Sequence, residues 1–296
     1  MVPEGSIPTP TQGNYYHNLL ACLGYPADAP PVADLLRRYH GLDGTWLVAS
    51  PIHWQATHND AMIVACDEAL DLSDEESRAW FAVWAECLQL ESIQLHYHDA
   101  YTWLIQPSEP QPIHALPVHA LLQQPMMAHL KALDTTVPDP SIVVPAKAGN
   151  HPSSSIDANL SMDPRLRGDD KFKTLFWSRV LTENQMLFSA HPLNQARKNR
   201  YSVNGVWIWG GGHLKTPVSR PIVSADDASC KLASLLSTEV KHYVPKQDYP
   251  KDTIFLLGED HSPSKKKSVR YYWNNLAYIH KPSGWITRFW RSLIER

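Results

Sequence analysis

Between Val137 and Phe172 the chain carries Pro138, Pro140, Pro145, Pro152 and Pro164, three consecutive serines from Ser153 to Ser155, and no apolar period. A stretch with nothing to bury cannot offset the entropy of ordering it, so it is expected to be a disordered insert. A fold built from this chain must then be assembled from two separated pieces. The expected organisation is an N-terminal coil at 1–16, a first α+β part at 17–136, the insert at 137–172, and a second α+β part at 173–296 that completes the fold. The pieces have enough apolar material to do so, because 43% of the 296 residues are hydrophobic and only 19% are charged.

Periodicity assigns the elements. Tyr15 to Leu23 and Val32 to Tyr39 read as short helices separated by Gly24 and the Pro26 to Pro31 loop. Ile52, Trp54 and Ala56 alternate with polar residues, His58-Asn59-Asp60 supplies a turn, and Met62, Val64 and Cys66 resume the alternation, which is a hairpin. Ser73 and Glu76 form a capping box ahead of a helix with a stripe of Trp80, Phe81, Trp84, Cys87 and Leu88. A second hairpin is expected from Ile93 to Ile105 about an Asp99-Ala100 turn. Beyond the insert, Trp177, Leu181, Asn184 and Phe188 share a helical face with Phe176, Val180 and Leu187, and the helix stops by Pro192. Val203 to Trp209 reads as a buried strand closed by Gly210-Gly-Gly212, with further strands at Thr253 to Leu257 and Val269 to Trp273 and a terminal helix bearing Trp285, Phe289 and Trp290. The expected class is α+β, a mixed sheet with flanking helices.

Charge and cysteine usage narrow the partners. With 27 Lys+Arg against 30 Asp+Glu the chain has no positive field to gather nucleic acid or anionic lipid. Cys22, Cys66, Cys87 and Cys230 form no CxxC pair, and free thiols fit a reducing cytoplasm. No apolar run approaches a membrane span and the N-terminus has no leader-like pattern. Nucleic-acid and membrane partners are therefore not expected, and neither is a cofactor.

Three constellations could carry chemistry. His96-Tyr-His98 puts two imidazoles on one strand face, but with 15 histidines about one such pair arises by chance, and Gln94 marks that face as solvated. Asp260-His261 follows a strand and could ligate a divalent metal, or could be a polar turn leading into Lys265 to Lys267. The most specific stretch is His191-Pro-Leu-Asn194-Gln-Ala-Arg197 with Asn204 and Trp209-Gly210-Gly211-Gly212. Its donors suit a small anionic metabolite and its glycines admit a ligand, with Asn184 projecting from the preceding helix. The alternative is a braced helix end and a ligand-free turn. No catalytic residue is assigned.

His191-Pro-x-Asn194-x-x-Arg197 ahead of Trp207-x-Trp209-Gly-x-Gly resembles the cofactor-independent phosphoglycerate mutase-like family, in the branch of RpfE-type regulatory proteins. Leu19-Leu-x-x-Leu-Gly24, Gly44-Thr-Trp-Leu47, Pro51-Ile-His-Trp54, Leu72-Ser-x-x-Glu76, Trp103-Leu104 and Glu183-Asn-Gln-Met-Leu187 follow the same branch in order. The resemblance implies kinship with alkaline-phosphatase-like bacterial enzymes that use two metal ions and a Ser or Thr nucleophile. It matches their smaller, substrate-side domain. The only Asp-Gly, Asp43-Gly44, follows no strand, Gln55 and Thr57 stand where the full-length mutases carry Arg and Asn, and of the ligand motifs only Asp260-His261 has a counterpart. The insert, with Val144-Pro-Ala-Lys-Ala-Gly149 and Met162-Asp-Pro-Arg-Leu-Arg, resembles a translated proteobacterial intergenic repeat; an ordinary linker reads equally well. The implied function is a non-catalytic, cytoplasmic regulatory or ligand-binding protein that takes a small anion. The alternatives are a metal-dependent mutase or phosphatase and a Trp-rich interaction scaffold.

Overall fold

Leu47 to Ala56 form a strand whose first six residues are buried, and the largest sheet is arranged around it. The computed structural model describes residues 7–10, 13–58, 60–88, 93–107, 113, 115–133, 176–245, 247–250, 252–257, 269–273 and 276–280. The strands are β1 (Ile7–Pro10), β2 (Leu47–Ala56), β3 (Ala61–Cys66), β4 (Gln94–Tyr97), β5 (Trp103–Gln106), β6 (Gly205–Trp209), β7 (Ile222–Ser224), β8 (Val240–His242), β9 (Ile254–Leu256), β10 (Val269–Trp273) and β11 (Leu276–His280). The helices are α1 (Tyr15–Cys22), α2 (Val32–His40), α3 (Asp74–Leu88), α4 (Met127–Ala132), α5 (Phe176–Ala190) and α6 (Asp227–Ser234). The chain is α+β. The 137–172 insert, Asp260-His261 and the expected terminal helix lie outside the described residues.

Pairing is divided among three sheets rather than mixed within one. β3, β2, β5, β4 and β6 make an antiparallel sheet, β8-β7-β9 a parallel one, and β1-β11-β10 an antiparallel one. Residues 7–10, expected as coil, are a strand. Pro8 and Pro10 cannot donate to a ladder, and β1 accordingly sits at an edge, paired with β11 alone.

β2 has β6 along one side from Val48 to Ile52. Its other side is shared, with β5 at Leu47 to Ala49 and β3 from Ile52 onward. Ser50 and Pro51 fall between the two partners, and Pro51 has no N–H to extend either ladder. Into that gap the chain leaves β3 at Asp67 and enters β5 from Thr102. Beyond Asp67 a 3₁₀ turn, Asp67–Leu70, carries the chain away, and a second one, Val118–Leu121, lies along β3 through the Gln123 N–H donated to the Ile63 carbonyl at 2.8 Å.

The core is built on tryptophan. Trp80, Trp84, Trp103, Trp177, Trp207 and Trp209 are wholly buried, and Trp46 and Trp54 nearly so. These eight tryptophans form no exposed surface for a Trp-rich scaffold. The α5 stripe buries Trp177, Val180, Leu181, Asn184 and Phe188 as its period demands, whereas Leu187, expected beside them, is at the surface. No described helix is long and apolar enough to cross a membrane, and all four cysteines are free thiols.

Candidate functional site

The expected anion site does not assemble, because β6 stands between its parts. Asn194 and Arg197 lie before the strand and Gly210 to Gly212 after it, and five strand residues at about 3.3 Å each place them about 16 Å apart. At the far end Gly210 is a docking point. Its φ is +74°, its carbonyl accepts the Ala33 N–H of α2 at 3.0 Å, and a Cβ there would stand 2.8 Å from Val48 Cγ2.

At the near end the side-chain donors of Arg197, Asn194 and Asn204 have protein partners. Arg197 is 3% exposed; its Nε donates to the Tyr201 carbonyl at 2.7 Å, Nη1 to Glu76 and Nη2 to the Leu70 carbonyl. Glu76 is therefore only half of the expected capping box. Its N–H is capped by Ser73 Oγ at 3.1 Å, while its carboxylate turns to Arg197 and Arg200 instead of back to Ser73. Asn194 donates to the Phe188 and Val203 carbonyls and accepts the Val203 N–H. Asn204 brackets Trp54 across the bulge in β2, accepting its N–H and donating to its carbonyl, both at 2.8 Å. His191 accepts the Leu193 N–H and lies against Trp80. Asn184 is fully buried in the α5 stripe with neither amide atom partnered. All of these groups except Asn184 fasten the fold.

On this face of β4 Gln94 is exposed as expected, whereas His96 and His98 are covered by α1 and α2. His40 Nε2 and His98 Nδ1 are 2.8 Å apart, the Tyr16 hydroxyl takes His98 Nε2, and the His96 ring lies 4.3 Å from that of His40. Both nitrogens of His98 are thus engaged within the protein. Burial lowers the pKa of His40 and of His98 from 6.5 to about 4.

Acidic and aromatic groups gather instead at the gap in the sheet. A cavity of about 270 Å³ there is lined by Asn14, Tyr15, Tyr16, Asp67, Glu68, Asp99, Tyr101 and Thr102. The first three belong to the start of α1, where Asn14 caps the helix by accepting the His17 N–H. Asp67 and Glu68 follow β3, and the last three form the turn into β5. Loss of solvation raises Glu68 and Asp99 above the ordinary carboxylate range, and the Asp67 charge adds to both. Among the described residues no lysine or arginine pairs with these three carboxylates.

Asp67 is buried with φ +48°, an uncommon conformation for a residue with a side chain, and its Oδ2 lies 2.8 Å from His119 Nδ1. Cys66 adjoins, and one ligand-type atom from each of Cys66, Asp67 and His119 lies within 4.8 Å of the others. His17 sets its ring 6.0 Å from that of His119. Of the residues expected in the anion site only Trp209 borders this group, its ring 5.8 Å from His119. Sequence reasoning missed this cluster. The available signal was two carboxylates directly after a strand and a lone His119 in a proline-bounded stretch, each unremarkable without the pairing that joins them.

No protein-family model matches the chain and no curated protein matches it. Among solved structures it is similar to a cofactor-independent phosphoglycerate mutase from Thermoplasma acidophilum DSM 1728, with 14% identity, a TM-score of 0.32, and coverage of 86% of this chain and 67% of that one. At that level the likeness says nothing about activity.

Proposed function

We propose that the chain is a small-molecule-binding protein whose role is recognition rather than turnover, and that its ligand is an organic cation. One observation carries this reading, the cavity lined by three carboxylates and three tyrosines without a lysine or arginine. Carboxylates attract an ammonium group and the faces of tyrosine rings receive it, while an anion in the same place would meet like charge. The Tyr16 and Tyr101 hydroxyls are engaged with His98 and the Leu72 carbonyl, which fixes both rings. The anion inferred from sequence relied on Arg197, whose donors are taken up internally. A regulatory role in the cytoplasm, within the RpfE-type branch, remains part of the proposal and rests on the motifs from Leu19 to Leu187 and on the free thiols.

The test is thermal unfolding of the chelator-treated chain with putrescine, choline or phosphoglycerate. Putrescine or choline should raise the melting temperature, by the equivalent of about 2.7 kcal/mol at a hundredfold excess over Kd. Asp99→Asn should abolish the rise while the free protein melts within a few degrees of the original. Stabilisation by phosphoglycerate alone would restore the anion reading, and no response to any of the three would reject the cavity as a binding site.

A further inference from the structure

We infer that Cys66, Asp67, His119 and His17 form a closed site for a divalent transition metal of the zinc class. The site borders the cavity through Asp67 but does not depend on what the cavity binds.

The donor set points to this chemistry. A thiol, a carboxylate and two imidazoles are brought together from three distant segments: the end of β3, the Val118–Leu121 turn and α1. One donor atom from each of Cys66, Asp67 and His119 already lies within 4.8 Å of the others. In a tetrahedral zinc site, with metal–ligand distances of about 2.0–2.3 Å, donors stand about 3.3–3.7 Å apart, so a closure of about 1 Å completes the arrangement. Sulfur and imidazole donors favour zinc or its neighbours over magnesium and calcium, which take oxygen.

A second observation is independent of that spacing. His17 is 5% exposed, and its Nδ1 is buried without a partner, as is Nε2 of His119. Buried polar atoms are ordinarily satisfied, and two unsatisfied imidazole nitrogens beside one buried carboxylate are an anomaly that coordination removes. His119 Nδ1 is already engaged with Asp67 Oδ2 at 2.8 Å, which leaves Nε2 as the nitrogen of that ring open to a metal. His17, whose ring centroid lies 6.0 Å from that of His119, stands outside the 4.8 Å group and must move further than the other three to supply the fourth donor. The buried Trp209 packs its ring 5.8 Å from that of His119. Cys66 binds as the thiolate, so its proton passes to solvent on binding. The bound metal would staple α1 to β3 and to the turn along it, directly beneath the cavity wall.

The experiment is a cobalt titration of the chelator-treated full chain, read by absorption and by melting temperature. One cobalt ion per chain should bind with a thiolate-to-cobalt charge-transfer band and tetrahedral ligand-field bands, and zinc should displace it and raise the melting temperature by several degrees. Cys66→Ser should remove the charge-transfer band, His119→Gln should weaken zinc at least about a hundredfold, and His17→Gln should weaken it about tenfold or more. Absence of the band in the original chain overturns the inference. So does its survival in Cys66→Ser, since Cys22, Cys87 or Cys230 would then be the source. If Cys66→Ser does not fold, a folded His119→Gln with unchanged cobalt spectrum and affinity overturns the inference equally. Putrescine binding by the metal-free chain is measured separately, so either result can fail without the other.

Discussion

The loop before β6 and the loop after β3 carry similar polar residues and treat them in opposite ways. Before β6, Arg197, Asn194 and Asn204 have protein partners for their side-chain groups, drawn from α3, α5, β2 and the 3₁₀ turn after β3. After β3, Asp67, Glu68 and Asp99 face a cavity without a lysine or arginine, beside two imidazole nitrogens that lack partners. A recognisable motif of donors marks a brace when its groups are closed within the chain. A binding site is marked by groups the fold leaves open, because desolvating them without a partner is tolerated only where something else supplies one.

The contrast breaks first at Arg197. Arg197→Ala should destabilise the protein by about 3–5 kcal/mol, because it strips a buried guanidinium from Glu76 and from two carbonyls. Urea unfolding measures it, and a loss below about 1 kcal/mol would return Arg197 to the list of ligand-binding candidates. Asp99→Asn on the cavity side should change stability far less.

The covered histidines provide the next effect. His40 and His98 are lowered from 6.5 to about 4 by burial, with His96 facing both and Lys231 adding to His40. Between those values the unfolded chain holds protons that the folded chain does not, so stability rises with pH through that window. It should be complete above about pH 6.5 and fall as the pH drops toward about 4. Tyr16 and Tyr39 also pack on His98, and Asp99, 3.7 Å from it, favours its protonated form. A melting temperature several degrees lower at about pH 5 than at about pH 7 is expected, and His40→Gln should flatten that slope. An unchanged slope would show that the triad is not held neutral by the fold.

The smallest effect sharpens the comparison from inside the core. Asn184→Leu removes two buried amide atoms that have no partner and should raise stability by about 1 kcal/mol. A fall instead would mean that the amide is satisfied by a bound water or ligand, and Asn184 would then belong with the open groups.

Local features were legible because each is written within a few residues. The Ser73 cap, the stripe of α5, the burial of Val203 and Val206 to Trp209, and the hairpin from Ile52 to Cys66 all follow from period and turn chemistry. The edge strand at Ile7–Pro10 was not, since its partner, β11, lies about 270 residues further along. The solvated reading held at Gln94, which is exposed, and failed at His96 and His98, because nothing near β4 reveals that α1 and α2 pack over them.

What the residue pattern established is therefore the class of the protein, the burial of Trp80, Trp84, Trp177, Trp207 and Trp209, and a polar motif that had to matter somewhere. Where the motif's groups point depended on contacts between distant segments: Arg197 with Leu70 and Glu76, Asn204 with Trp54, Gly210 with Ala33. The open site arose from a gap left where β2 changes partners at Ser50 and Pro51, into which Asp67 and Thr102 emerge from separate strands. A side chain's hydrogen-bonding capacity is a property of its type, but whether that capacity is already satisfied depends on neighbours that the chain brings together across more than a hundred residues.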